Sequence, residues 1–314
     1  MTKQINFLIC VELGVLEQQS MLLIKSIEKW FYNFQYKIYV YSPRKQFWPK
    51  QETLNFLDRD HVVWLNHELN VDFKNYPIAN KVLACQHFEQ TYLTEGPIIF
   101  LDTDTVFTNP IGIGLLKKAN RLLLRPVDNK GPGSESKHDV NDEFWQEVFN
   151  LCNVSIPPPS VLTTVSSLKI RNYFNAGLIW VCGLKGFYNQ WYDDFLTIVD
   201  SGLRPFGYMS RDGNDFRCLD QVALAVTATR YKAYLEILPE SLNYPIPFKS
   251  NMQNHTNHLK LNELVHIHYH KWFQHPGFLD HITTENEKLS EQYIWLKKQL
   301  PLKPEINEPF KRWK

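Results

Sequence analysis

Apolar positions in the first hundred residues switch repeatedly between a strand spacing and a helix spacing. Ile5 to Val11 is a short apolar run, Tyr36 to Tyr41 alternates and stops at Ser42-Pro43, and His61 to Leu65 is a third run. Between them Leu22, Leu23, Ile27, Trp30, Phe31 and Phe34 recur at helical spacing, which predicts a helix over 16–34. A second helix is predicted over 79–92, and a fourth strand at Ile98 to Leu101. This alternation implies right-handed crossovers and a mostly parallel sheet. The expected class is α/β, one domain over residues 1–280 with helices flanking the sheet, followed by a C-terminal helix and tail over 281–314.

The pattern loosens over 127–170, where Gly131-Pro132-Gly133, a charged run and Pro157-Pro158-Pro159 read as an excursion carrying a short helix over 142–151. A surface insertion and a lid are equally compatible with that composition. Order resumes with an apolar strand over 173–181 and an aromatic-rich helix over 185–199. An irregular stretch over 201–217 leads to a helix opening at Asp220. Val265 to His270 reads as a late strand, and 285–300 as a terminal helix with Thr284 as N-cap and Pro301 as its stop.

The run Ile98 to Leu101 leads straight into Asp102 and Asp104, separated by Thr103. A short unbroken apolar run suits a strand buried on both faces, and ligands gather beyond the carboxyl ends of such strands. Two acids there call for a cation, and an oxygen-rich site suits Mg²⁺ or Mn²⁺. The plain alternative is one Asp capping a turn and the other solvated.

Composition narrows the function classes. The net charge of +1 gives no electrostatic case for nucleic acid. Five scattered cysteines without a Cys-x-x-Cys pair suggest neither a disulfide framework nor a zinc cluster, so a reduced, cytoplasmic setting is expected. No signal-peptide pattern is present, and no apolar stretch reaches the ~20 residues of a membrane helix. The sequons at Asn153 and Asn254 are therefore read as accidental.

Four ordered segments and a late strand carry a family resemblance. They are Asn80-Lys81, Phe-Leu-Asp-Thr-Asp-Thr at 100 to 105, Phe-Asn-Ala-Gly at 174 to 177, Leu-Asp-Gln at 219 to 221, and Val-His-Ile-His-Tyr-His-Lys-Trp at 265 to 272. Together they resemble GT-A-type nucleotide-sugar glycosyltransferases, most closely the glycogenin and bacterial galactosyltransferase group of retaining enzymes. The resemblance implies a GT-A-like domain, a nucleotide diphosphate sugar as donor (UDP-sugar above all), Mn²⁺ or Mg²⁺, and a glycan or other hydroxyl acceptor. A divalent ion stabilises the charge that builds on the diphosphate as the glycosidic bond breaks.

Site residues follow from that resemblance. Asp104 is the direct metal ligand, and Asp102 shares the metal or holds the ribose beside Thr103. If 265–270 is extended, His266, His268 and His270 face one way; His268, which precedes an aromatic residue, is the preferred third ligand. Lys271 and Lys81 offer positive charge to phosphate. Asn175, Ala176 and Gly177 lie near the sugar, and Asp220 and Gln221 orient it or stabilise an oxocarbenium-like transition state. Asp220 as a plain N-cap is the competing reading.

Three departures stand out. Cys10-Val11-Glu12-Leu13 replaces the family's acidic or amide residue that contacts the nucleotide base, with Glu12 as the candidate substitute, Val222 replaces the acid after Asp-Gln, and no Gly follows the metal histidine. Two rival functions remain. In a haloacid-dehalogenase-type phosphatase Asp102 would be nucleophile and Asp104 general acid, but that motif follows the first strand of its domain, and here three strands precede the one that leads into this pair. The other is a non-catalytic nucleotide-sugar-binding protein.

Overall fold

The computed structural model describes residues 3–92, 94–207, 217–249 and 259–306. The sequon at Asn254, much of the irregular stretch before Asp220 and the end of the tail lie outside them. In chain order the elements begin β1 (Ile5–Cys10), α1 (Val15–Trp30), β2 (Tyr36–Tyr41), α2 (Gln51–Leu57), β3 (Val62–Leu65), α3 (Ala79–Thr91) and β4 (Ile98–Leu101). They continue with β5 (Thr105–Phe107), α4 (Ile113–Leu116), β6 (Arg121–Pro126), α5 (Asp142–Leu151), β7 (Val161–Leu162), β8 (Lys169–Ile170), β9 (Phe174–Cys182) and α6 (Phe187–Ser201). The last are α7 (Leu219–Arg230), β10 (Leu235–Ile237), β11 (Tyr244–Pro245), β12 (His266–His268), α8 (Phe278–Ile282) and α9 (Glu291–Gln299). They fall into two units interleaved along the chain, one of Met1–Asn66, Leu101–Lys117 and Pro239–Lys314, the other of His67–Phe100 and Lys118–Leu238.

In the first unit β1, β2 and β3 pair in parallel, Ile5 opposite Tyr36 and Ile38 opposite Val62. Phe7, Leu8 and Ile9 are fully buried, as a strand covered on both faces requires. Helix α1 lays its apolar stripe on this unit and meets β5, where Phe7, Phe31 and Phe107 form an edge-to-face trio at 4.8–6.0 Å between ring centroids. Ser26 Oγ accepts the Phe107 N–H at 3.1 Å, which ties the strand after the Asp pair to the helix.

In the second unit the strand order is β10-β6-β9-β4. β10 pairs with β6 in parallel, and β6 with β9 antiparallel. Helices α6 and α7 bury Trp191, Phe195 and Leu224. The excursion is closely tied: Trp145 is fully buried with its indole N–H on the Pro132 carbonyl (2.7 Å), and Arg171 pairs with the buried Asp142 (2.8 Å). The α/β class and the mostly parallel pairing are as expected.

Several boundaries differ for identifiable reasons. α1 ends at Trp30, and Phe31 and Phe34 meet at a tilt in the following turn, 5.7 Å between centroids with 56° between planes. Arg121–Pro126 was missed as a strand, although its Leu122-Leu123-Leu124 run is fully buried. The terminal helix begins at Glu291 with Ser290 as its cap, the Ser290 hydroxyl accepting the Tyr293 N–H at 3.2 Å. Thr284 does not cap it: a 3-10 turn at Glu287–Leu289, with Asn286 at its N-cap, comes between, and the Thr284 N–H and hydroxyl both donate to the Glu287 carboxylate at 2.9 Å. Ser290→Ala is accordingly expected to destabilise the fold by about 1 kcal/mol in urea unfolding, with Thr284→Ala costing less.

Candidate metal centre and buried carboxylate cluster

Strand β12 lies antiparallel to β5 with His268 opposite Thr105, a register that sets the imidazole beside the Asp pair. Tyr269 fixes that approach. Its N–H donates to the Asp104 carbonyl (2.9 Å), its hydroxyl to the Thr103 carbonyl (3.3 Å), and its buried ring stacks on Phe273 at 4.1 Å. The aromatic residue after His268 therefore has a mechanical reason to be there.

Three side chains meet. His268 Nε2 lies 3.2 Å from Asp104 Oδ1, and His270 Nδ1 lies 3.5 Å from Asp104 Oδ2. One ligand atom from each falls within 4.8 Å of the others. The expectation of three histidines on one strand face is corrected. The strand stops at His268, and His270 sits in the left-handed region at φ 52°, which returns its ring to within 4.1 Å of the His268 ring. Such a backbone costs a non-glycine residue about 1 kcal/mol and needs local support. Gln19 supplies it, its amide N–H reaching the His270 carbonyl (3.4 Å) and its amide oxygen accepting from Thr103 Oγ1 (3.3 Å). His266 packs on Phe107 at 4.6 Å, and burial together with His268 pushes it down to about 3, so it stays neutral core.

Burial works to raise the Asp104 carboxyl, but the charges and hydrogen bonds of His268 and His270 hold it well below the usual carboxylate range. It is an anion facing two imidazoles. One carboxylate oxygen and two ring nitrogens suit a first-row divalent ion better than Ca²⁺. Neighbouring ligands about 2.1 Å from a shared ion stand roughly 3 Å apart; His268 and His270 approach different oxygens of Asp104, at 3.2 and 3.5 Å, so the donor set fits an ion facing both carboxylate oxygens. Asp102 is outside this group of three. It is half-buried, and its carbonyl accepts the Thr105 hydroxyl at 2.6 Å. Lys271 is exposed, next in the chain after His270.

A second cluster lies in the other unit. Asp220 is buried, with Lys81 Nζ 3.6 Å from Oδ2, the Tyr76 hydroxyl donating to Oδ1 at 3.5 Å, and the Trp191 indole N–H on its carbonyl at 2.9 Å. The capping alternative is corrected: α7 begins at Leu219 with Cys218 at the N-cap, and no side chain caps it. Gln221 is half-buried on the same turn. At the start of β9 the pairing register with β6 shifts, Leu124 facing Ile179 but Arg125 facing Asn175. Within that bulge Asn175 Oδ1 accepts the Gly177 N–H at 2.7 Å, and Ala176 is buried.

Glu12 is engaged by Arg44, whose Nε and Nη2 reach its two carboxylate oxygens at 2.9 and 2.5 Å, with both residues buried. Gln19, Tyr76 and Arg44 escaped the sequence reading. Each is an isolated polar residue whose partner lies far along the chain, and only a polar position inside an apolar stripe, as for Gln19, could have flagged one.

Comparison with known proteins gives the family. A model of the Rhodobacterales glycosyltransferase domain matches residues 7–232. No curated protein sequence matches. Among solved structures, WbbM, a bifunctional glycosyltransferase in its apo form, aligns with a TM-score of 0.53 at 14% identity, over 96% of this chain and 52% of its own. This chain thus spans about half the length of WbbM. An active-site mutant of LgtC aligns with a TM-score of 0.51 at 12% identity, over 94% of this chain and 96% of its own. These likenesses support the GT-A fold, and the family match, which takes in the Asp turn, β9 and Asp220, sets the phosphatase reading aside. The chain belongs to the Rhodobacterales glycosyltransferase domain family.

Proposed function

We propose that this glycosyltransferase moves a sugar from a nucleotide diphosphate donor, a UDP-sugar above all, to a glycan or other hydroxyl acceptor in a metal-dependent reaction. The observation carrying the reading is the convergence of Asp104, His268 and His270. A divalent ion there, Mn²⁺ or Mg²⁺, would offset charge on the departing diphosphate. Asp104, His268 and His270 hold it, Asp102 shares it or takes the ribose with Thr103, and Lys271 adds a positive charge for phosphate. Asp220, Gln221, Asn175, Ala176 and Gly177 are assigned to the sugar, with Lys81 facing the Asp220 carboxylate. Glu12 acts on the base side as a pair with Arg44. Retention of anomeric configuration is carried over from the resemblance.

The scattered cysteines, with no Cys-x-x-Cys pair, are the ground for assigning it a reducing, cytoplasmic setting; no helix among the described residues is long and apolar enough to cross a membrane. A thermal-shift panel of nucleotide sugars with and without Mn²⁺ tests the proposal, because a ligand that binds only the folded state raises its melting point. One nucleotide series should raise the melting temperature by several degrees with Mn²⁺ and little without it. No shift for any nucleotide under either condition contradicts the proposal. A shift without turnover of any donor, even with acceptors supplied, favours the binding-protein alternative.

A further inference from the structure

We infer that Tyr76 is a positioning residue for the Asp220 carboxylate, its hydroxyl fixing one oxygen while Lys81 faces the other. The inference deepens the proposed function, since it rests on Asp220 acting on the sugar.

A carboxylate buried to 2% exposure cannot remain ionised without partners. Lys81 compensates the charge but is a flexible point cation 3.6 Å from Oδ2, and it does not define where Oδ1 points. The Tyr76 hydroxyl, 3.5 Å from Oδ1, defines the second oxygen. A carboxylate accepts about four hydrogen bonds. The Tyr76 hydroxyl on one oxygen and the Lys81 ammonium beside the other therefore orient the group. Burial, and then the Asp220 charge, push the Tyr76 phenol far upward, so it stays a protonated donor.

The segment that delivers Tyr76 is built for placement. It belongs to neither helix nor strand and is pinned by the buried Asn70. Asn70 Oδ1 accepts the Phe73 N–H (3.0 Å), and its amide group donates to the Tyr76 carbonyl (3.3 Å) and to Asn80 Oδ1 (2.7 Å). The Tyr76 ring lies nearly parallel to Phe195, 11° between planes at 6.3 Å. The ring is thus held by packing and by its backbone, independently of the hydroxyl. That separation makes Tyr76→Phe a direct test, because the ring keeps its place and only the hydroxyl is lost, with its bond to Oδ1 and its contact with the Asp220 backbone.

The experiment pairs a crystal structure of Tyr76→Phe with steady-state kinetics on the donor chosen by the nucleotide-sugar panel. The inference expects the Asp220 carboxylate to rotate off its present position, kcat to fall about 10-fold, and the donor KM to stay within twofold. A purely structural role would change the melting temperature and leave kcat alone. An unmoved carboxylate overturns the inference, and so does a kcat within twofold of wild type. If the wild type turns over no nucleotide sugar, the proposed function fails, and the position of Asp220 in the variant still decides this inference alone.

Discussion

Replacement of Asp104 by alanine is expected to lower Mn²⁺-dependent release of nucleoside diphosphate by at least about 10³-fold, with the fold intact. Removing one group that stabilises developing charge in a buried site typically costs 10²–10³-fold, and a metal ligand carries the ion's contribution as well. The fold should survive because the neighbouring strand is held by the Asp104 carbonyl, which accepts the Tyr269 N–H at 2.9 Å, and not by its carboxylate. What changes is the charge. Asp104 is the anion to which both His268 and His270 are drawn, and its depressed carboxyl keeps it ionised throughout the working pH range. Asp104→Asn should resemble the alanine variant in activity while preserving shape, which separates loss of charge from loss of packing. Residual activity above about a tenth of wild type would remove Asp104 from the chemistry.

The second large effect concerns stability. Lys249 and Glu287 are each only 3% exposed at the side chain and lie 2.8 Å apart. Glu287 also accepts the backbone N–H groups of Leu261 (2.8 Å) and Thr284 (2.9 Å), and Lys249 donates to the Ile282 carbonyl (3.1 Å). Removing one partner strands a buried charge, so Lys249→Met is expected to cost about 3–5 kcal/mol in urea unfolding. A cost below about 1 kcal/mol would mean that the pair contributes little.

The same pair dictates the acid response. Burial favours the neutral Glu287 carboxyl, but Lys249 and the two backbone donors hold it down to about 2. A folded-state value below the unfolded one gives stability that is complete above the unfolded value, near 4.5, and disappears as pH falls toward 2. Between those limits the wild type should lose about 3 kcal/mol from this group. Glu287→Gln should lack that part of the acid dependence.

The strand ending in Asp102 and Asp104 was legible because a buried parallel strand has a signature that depends only on its own residues. Neighbours in the chain, Ile98 to Leu101, write it directly. His268 was singled out by the family resemblance, in which an aromatic residue follows the metal histidine; in the structure that residue, Tyr269, pins the strand to the Asp turn. His270 was misread because alternation was extended past the point where the backbone enters a left-handed turn, and no glycine or asparagine marks that turn. Gln19, Arg44 and Tyr76 were illegible for another reason. Their partners His270, Glu12 and Asp220 are chosen by three-dimensional proximity, which leaves no periodic trace. The start of the last helix belongs with them, since Glu287, which accepts from Thr284, pairs with Lys249 from a distant part of the chain.

Titration of the full chain with Mn²⁺, followed by loss of the free-ion EPR signal in the presence of UDP, bears most directly on the role given to Asp104, His268 and His270. The expected result is a single strong Mn²⁺ site per chain, weakened at least about 100-fold by His268→Ala and equally by Asp104→Ala. Undiminished Mn²⁺ binding in a chain lacking all three side chains, or no binding by the wild type, would contradict it.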